Sequence, residues 1–189
     1  MTNLPMIVFD VNETLLDLDT MTPIFERIFH EKLAMRLWFA NLILYSEALT
    51  LAKLYVPFTD IGGAVLQMLA DTRGIRIMAA DKKELTEVAS SSMAESSICS
   101  IIVSASTIPR SDVTNPYVEK QLRVTPSGLF LIASHTWDTL GAVAAGWGAA
   151  LIKRPGNDVL SVGPQPTLVG ANLDDVANQL IRRFSQATG

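Results

Sequence analysis

Asp10 stands near the end of the run Met6-Ile7-Val8-Phe9-Asp10-Val11, an otherwise apolar stretch with no other charge. A continuous apolar run of this length reads as a strand buried on both faces of a parallel sheet. A carboxylate at the end of such a strand emerges into a crevice rather than into bulk water. There it can attack carbon or phosphorus, forming an ester or acyl phosphate that water then cleaves. The same position suits a plain Asx turn, in which the carboxylate only accepts a hydrogen bond from the following backbone, and the local pattern leaves both readings open. Arg36 is a second candidate, because a guanidinium is always charged and suits an anion. On a helical wheel it shares a face with Ser46, Glu47, Thr50 and Lys53, so a solvated polar stripe is its competing reading.

The segment Val8-Phe9-Asp10-Val11-Asn12-Glu13-Thr14-Leu15-Leu16-Asp17 is similar to the first motif of the haloacid dehalogenase superfamily, in which the first Asp is the nucleophile and the Thr binds beside it. Ile132-Ala133-Ser134-His135-Thr136-Trp137-Asp138-Thr139-Leu140-Gly141-Ala142 resembles the last motif of that superfamily, whose Asp sits across the site. Lys153-Arg154-Pro155-Gly156-Asn157 resembles the type II L-2-haloacid dehalogenase branch. The resemblance covers Leu4 to Glu87 and Val124 to the end. It implies an α/β fold, a Rossmann-like parallel sheet core with a helical cap inserted after the first strand. It also implies an (S)-2-haloacid dehalogenase-like hydrolase that cleaves carbon–halogen bonds of small 2-haloacids through an aspartyl ester.

The resemblance gives the catalytic set Asp10, Thr14, Arg36, His135 and Asp138, with Arg36 receiving the departing halide. Thr14 can donate a hydrogen bond to Asp10 or to a substrate carboxylate, or be a turn residue. Asp138 opens a helix, where a carboxylate also caps free amides and is favoured by the helix dipole. His135 stands where the branch more often has Asn, and an imidazole there can activate water. Asn12, Ser104 and Trp137 are candidate substrate-binding residues. Trp137, Trp38, Phe39 and Tyr45 can wall an apolar pocket or simply fill a core, and His30 reads as a surface or packing residue.

Asn12 discriminates between reactions. Phosphatases of the superfamily carry Asp there to protonate an alkoxide, and Asn has no proton to give at neutral pH. Halide leaves without protonation, and displacement at carbon by a free carboxylate does not need the Mg²⁺ that phosphoryl transfer uses. The expectation is no metal and no cofactor. A Mg-dependent phosphatase-like hydrolase, and a catalytically silent binding or oligomerising protein, are the alternatives.

Two further family motifs, a strand ending in Ser or Thr and a Lys before a Pro-rich turn, should lie between Glu87 and Val124, and that interval is short. Ser104 or Ser106 can take the hydroxyl role, but no Lys aligns. Two carboxylates approaching without that cation repel in a low-dielectric crevice, so a weak or inactive enzyme is expected unless Arg110 or Lys120 supplies charge. The shortened interval also predicts exposed apolar surface on one sheet face or its burial by dimerisation, and a homodimer is expected.

Strands are expected at Met6 to Val11, Ile98 to Ser104, Leu129 to Ser134 and Ala149 to Lys153. Thr136 to Ala145 reads as a helix closing at Gly146, Asp174 to Ser185 as a C-terminal helix, and Pro155 to Pro166 as a loop. Residues 21–92 read as the helical cap, with helices at Met35 to Tyr55, Asp60 to Asp71 and Asp81 to Ser91. Residues 1–20 and 93–189 form the core. With 189 residues, 49% hydrophobic and 18% charged, the chain holds one sizeable core. A net charge of −4 without blocks of like charge argues against nucleic acid as a partner. The apolar run Leu140 to Ile152 is shorter than the roughly 20 residues of a membrane span. The lone Cys99 and the absence of a leader-like N-terminus point to a cytoplasmic protein acting on a small molecule.

Overall fold

The computed structural model describes residues 4–95 and 114–185. The chain divides into two compact units, one built from residues up to Leu15 and from Pro109 onward, the other from Leu16 to Ile98. The expected strand Ile98 to Ser104, with Ser104, Ser106, Cys99 and Arg110, lies outside the described residues.

The first unit holds a four-stranded parallel sheet in the order β1 (Met6–Phe9), β2 (Leu129–Ala133), β3 (Gly148–Ile152) and β4 (Leu168–Gly170). Three of these strands are the expected ones, and the parallel pairing follows from α6 (Thr136–Ala144) crossing between β2 and β3. Residues β2 and β3 are almost wholly buried, as continuous apolar runs require. β1 differs from expectation. It is an edge of the described sheet, and Met6 and Ile7 are 36% and 38% exposed, so burial on both faces begins only further along the strand. β4 was not foreseen, because three residues between a Pro- and Gly-rich loop and a helix show no readable period.

Both faces of the described sheet are covered. Helix α7 (Leu173–Ser185) lays Val176 and Leu180 on Phe130, Ile132, Ala150 and Ile152. On the opposite face Val118 of α5 (Thr114–Leu122) joins Leu129, Ala142, Trp147 and Ala149. Helix α5 was missed from sequence, and it covers part of the face expected to be bare, while Met6 and Ile7 of β1 stay exposed. Helix α6 ends where expected. Gly146, at φ +85°, accommodates a left-handed turn in which its N–H donates to Val143 O and the Trp147 N–H to Ala142 O, both at 3.0 Å.

The second unit is helical throughout its described part, with a 3₁₀ turn (Leu18–Met21), α1 (Thr22–Phe29), α2 (Ala34–Leu51), α3 (Phe58–Asp71) and α4 (Ala79–Glu95). Its core includes Phe25, Phe29, Met35, Phe39, Leu42, Val65 and Leu69. Trp38 packs on Phe25 at 5.2 Å and donates its indole N–H to Gly62 O at 2.9 Å. Trp38 and Phe39 therefore pack with the helical core, whereas Tyr45 is 41% exposed and His30 is exposed at the end of α1. Helix α2 also corrects the polar-stripe reading. Ser46 is buried and donates to Leu42 O at 2.7 Å, while the outward face carries Leu33, Leu37, Ala40, Leu44, Ala48 and Leu51, all exposed. Among the described residues no helix is long and apolar enough to cross a membrane.

Candidate active site

The site of the first unit forms where the chain leaves β1 and β2 at their carboxyl ends, the edge at which parallel sheets bind ligands. The Asp10 N–H extends the β1–β2 ladder to Ile132 O at 3.0 Å. The chain then turns sharply, with Leu15 N donating to Val11 O at 3.0 Å. The Thr14 hydroxyl donates to Asp10 Oδ2 at 2.8 Å and accepts from the Ser134 N–H at 2.8 Å. One buried hydroxyl thus ties the first motif to the last. Asp10 also accepts from the Val11 N–H, so the turn reading of this carboxylate holds alongside any chemical role.

Glu13 was not singled out from sequence. It adopts φ 58°, a left-handed conformation that costs an ordinary side chain about 1–2 kcal/mol. Its carboxylate meets His135 Nε2 at 2.6 Å, a contact that helps hold the turn. His135 precedes α6 and its side chain is 3% exposed. Its Nδ1 faces Asp138 Oδ2 at 3.7 Å, and Trp137 stacks on the ring at 4.2 Å with an interplanar angle of 11°. Asp138, on the first turn of α6, has a side chain only 12% exposed.

Asp10, His135 and Asp138 each offer an atom within 4.8 Å of the others. Burial, reinforced by the Asp138 charge, pushes the Asp10 carboxyl up to about 7, against the pull of Thr14, the Val11 N–H and His135. Asp138 is likewise raised by burial, opposed by its bond to His135. Burial alone would lower the His135 pKa, but its contacts with Asp138 and Glu13 outweigh that and raise it to about 9. That shift favours the protonated ring at neutral pH.

A spacing of this kind is one a cation can bridge, but the donor set does not fit a divalent ion well. An imidazole ligates a metal through a lone pair, and Nε2 of His135 is already engaged by Glu13 at 2.6 Å. The water-activating role expected for His135 calls for a lone pair on the same ring, and so competes with the protonated state.

The segment after β3 is stitched onto the site. Arg154 Nη2 donates to Thr14 O at 3.1 Å, Asn157 Nδ2 to Ser134 O at 3.0 Å, and the Thr136 hydroxyl to Asp158 O at 2.8 Å, while Lys153 pairs with Asp158 at 2.7 Å. Among the described residues, Arg154 Nε and Ser134 Oγ are buried and find no hydrogen-bond partner. Arg154 and Asn157 had no role assigned from sequence beyond their place in a familiar pentapeptide.

Asp10, Thr14, His135, Trp137 and Asp138 thus come together on the first unit, with Asn12 half-buried in the same turn. Arg36 lies on α2 of the second unit and pairs with Asp19 at 3.7 Å. Lys120, on α5, is exposed.

No family model matches the sequence, and no curated protein matches it. The fold is that of the L-2-haloacid dehalogenases. One such enzyme superposes with a TM-score of 0.79 at 17% identity, covering 94% of this chain and 98% of that one. The L-2-haloacid dehalogenase from Xanthobacter autotrophicus, in a structure with chloropropionic acid covalently bound, gives 0.78 at 17% identity over 95% and 98%. A defluorinating L-2-haloacid dehalogenase gives 0.67 at 16% identity over 94% and 95%.

Proposed function

We propose that the chain is a hydrolase that displaces halide from a small 2-haloacid with Asp10 as nucleophile. The observation that carries this reading is a half-buried Asp10 carboxylate, oriented by Thr14, at the carboxyl end of β1 beside His135 and Asp138. A pKa near 7 leaves a good share of Asp10 ionised in neutral water and poorly solvated, which favours attack at carbon. The carboxylate oxygen bonds to C2 as the carbon–halogen bond breaks, and halide departs with the bonding pair. Arg36 keeps the halide-receiving role that the resemblance implies.

Water then attacks the carbonyl carbon of the Asp10 ester and releases the 2-hydroxyacid. Asp138, which offers an oxygen within 4.8 Å of Asp10, is the carboxylate placed to take the proton of that water. Single-turnover hydrolysis in ¹⁸O-water is expected to place label in Asp10 before it appears in product. Label appearing directly in the hydroxyacid would make Asp10 a general base and end the ester reading.

The homodimer belongs to the same proposal. Leu33, Leu37, Leu44 and Leu51 are 69%, 42%, 58% and 67% exposed and, with Ala40 and Ala48, form one stripe along α2. Two antiparallel copies of that stripe about a two-fold axis set Leu37 against Ala48, Ala40 against Leu44 and Leu33 against Leu51, large against small over most of its length. Light scattering at micromolar concentration is expected to give twice the chain mass, and Leu44→Glu half of that. A monomeric unsubstituted protein would remove the dimer from the proposal.

A further inference from the structure

The first unit gathers three carboxylates, those of Asp10, Glu13 and Asp138, around one imidazole, and a 2-haloacid would bring a fourth. Among the described residues no Lys or Arg side chain forms an ion pair with Asp10. The positive groups nearby are otherwise occupied, Lys153 with Asp158 and Arg154 with the backbone of Thr14. We propose that His135, held between Glu13 and Asp138, is the fixed cation of this site, whose charge offsets that of Asp10 and of an incoming anionic substrate.

The argument is geometric. Nε2 lies 2.6 Å from one carboxylate oxygen and Nδ1 faces another at 3.7 Å. Glu13 lies at hydrogen-bond distance from Nε2 and Asp138 faces Nδ1 within ion-pair range, so negative charge flanks the ring on both sides and favours the imidazolium. Trp137, stacked on the ring at 4.2 Å, favours the same state, since an indole face attracts a cation. Charged and titratable groups reach the ring from each neighbouring segment: Asp10 and Glu13 from the turn after β1, and Asp138 from α6. The segment after β3 adds Arg154, one bond removed through Thr14. The raised pKa of His135 agrees with this arrangement.

The site therefore carries its own counter-charge. A fixed imidazolium lowers the energy of two carboxylates in close approach, where like charges about 4 Å apart repel by roughly 4 kcal/mol at an effective dielectric near 20. His135 acts through Asp10 and is a positioning residue in this proposal, which rests on the haloacid reading above only for the identity of the anion.

The test uses the full chain, labelled with ¹³C and ¹⁵N. It has two histidines, and His30→Gln assigns their signals. The His135 ring is expected to keep both protons through pH 8 and to titrate near 9, and a neutral ring at pH 7.5 would overturn the proposal. In His135→Gln, the Asp10 carboxyl titration is expected to move upward by a pH unit or more. An unchanged Asp10 titration in a folded variant would also overturn it.

A second arm separates this proposal from the function. Alkylation of Asp10 by bromoacetate relative to uncharged bromoacetamide is expected to fall about tenfold in His135→Gln. An unchanged ratio would show that the charge does not serve an anionic substrate. If the titrations come out as expected and neither reagent alkylates Asp10 in the unsubstituted chain, the charge assignment stands and the nucleophile reading falls.

Discussion

Asp10→Asn is expected to lower halide release from 2-chloropropionate by about three orders of magnitude or more while leaving the protein folded and more stable at pH 8. The rate effect follows from chemistry, since a neutral amide is a poor nucleophile and the ester route closes. Removing a nucleophile commonly costs more than the roughly 4 kcal/mol that a thousandfold loss represents. The stability effect follows from burial. Asp10 titrates near 7 because desolvation and the Asp138 charge disfavour its ionised form, so at pH 8 the folded chain holds a carboxylate that it would rather protonate. Asn keeps the shape, accepts the Thr14 hydroxyl through its carbonyl and carries no charge. A variant that retains turnover within tenfold would show that Asp10 is a turn residue, and one that is less stable at pH 8 would contradict the desolvation argument.

The same contrast explains what the sequence could disclose. Asp10 was legible because a single charge in an apolar strand is conspicuous, and β2, β3 and α6 because long runs and a terminal Gly146 leave local marks. Glu13 left none. Its role comes from a left-handed φ of 58° that aims its carboxylate at a histidine 122 positions away, and no periodicity encodes that. Helix α2 was misread for a related reason. Its apolar residues surround the axis, so the pattern alone did not say that Ser46 turns inward and the leucines outward. Nor does the identity of His135 reveal its charge. A histidine in an apolar setting reads as neutral until the two carboxylates that face it are placed, and only then does it become a candidate for the missing cation.

The stability of the chain is expected to fall as pH rises from about 5 to about 9. Asp10 has an ordinary value of 3.8 and a folded value near 7, so between these the folded chain keeps a proton that the unfolded chain has released. His135 does the same between 6.5 and about 9. Its stabilising contribution is fully present below 6.5 and is lost as pH climbs through 9. In both windows the native state binds more protons than the unfolded state, and linkage then requires the unfolding free energy to decrease with pH. Each displaced unit is worth about 1.36 kcal/mol, so the combined loss amounts to several kcal/mol. Glu31, Glu84, Asp158 and Asp175 have lowered pKa values through hydrogen bonds to partners. They give the opposite slope, but as exposed carboxylates they act only below about pH 4.5, which places the maximum near pH 5. Urea unfolding at pH 5, 7 and 9 measures the trend directly. His135→Gln should flatten its upper half and Asp10→Asn its lower half. A free energy that is level or rising from pH 5 to 9 would mean that neither group is perturbed in the folded chain, and the charge cluster at the heart of the proposed site would lose its physical basis.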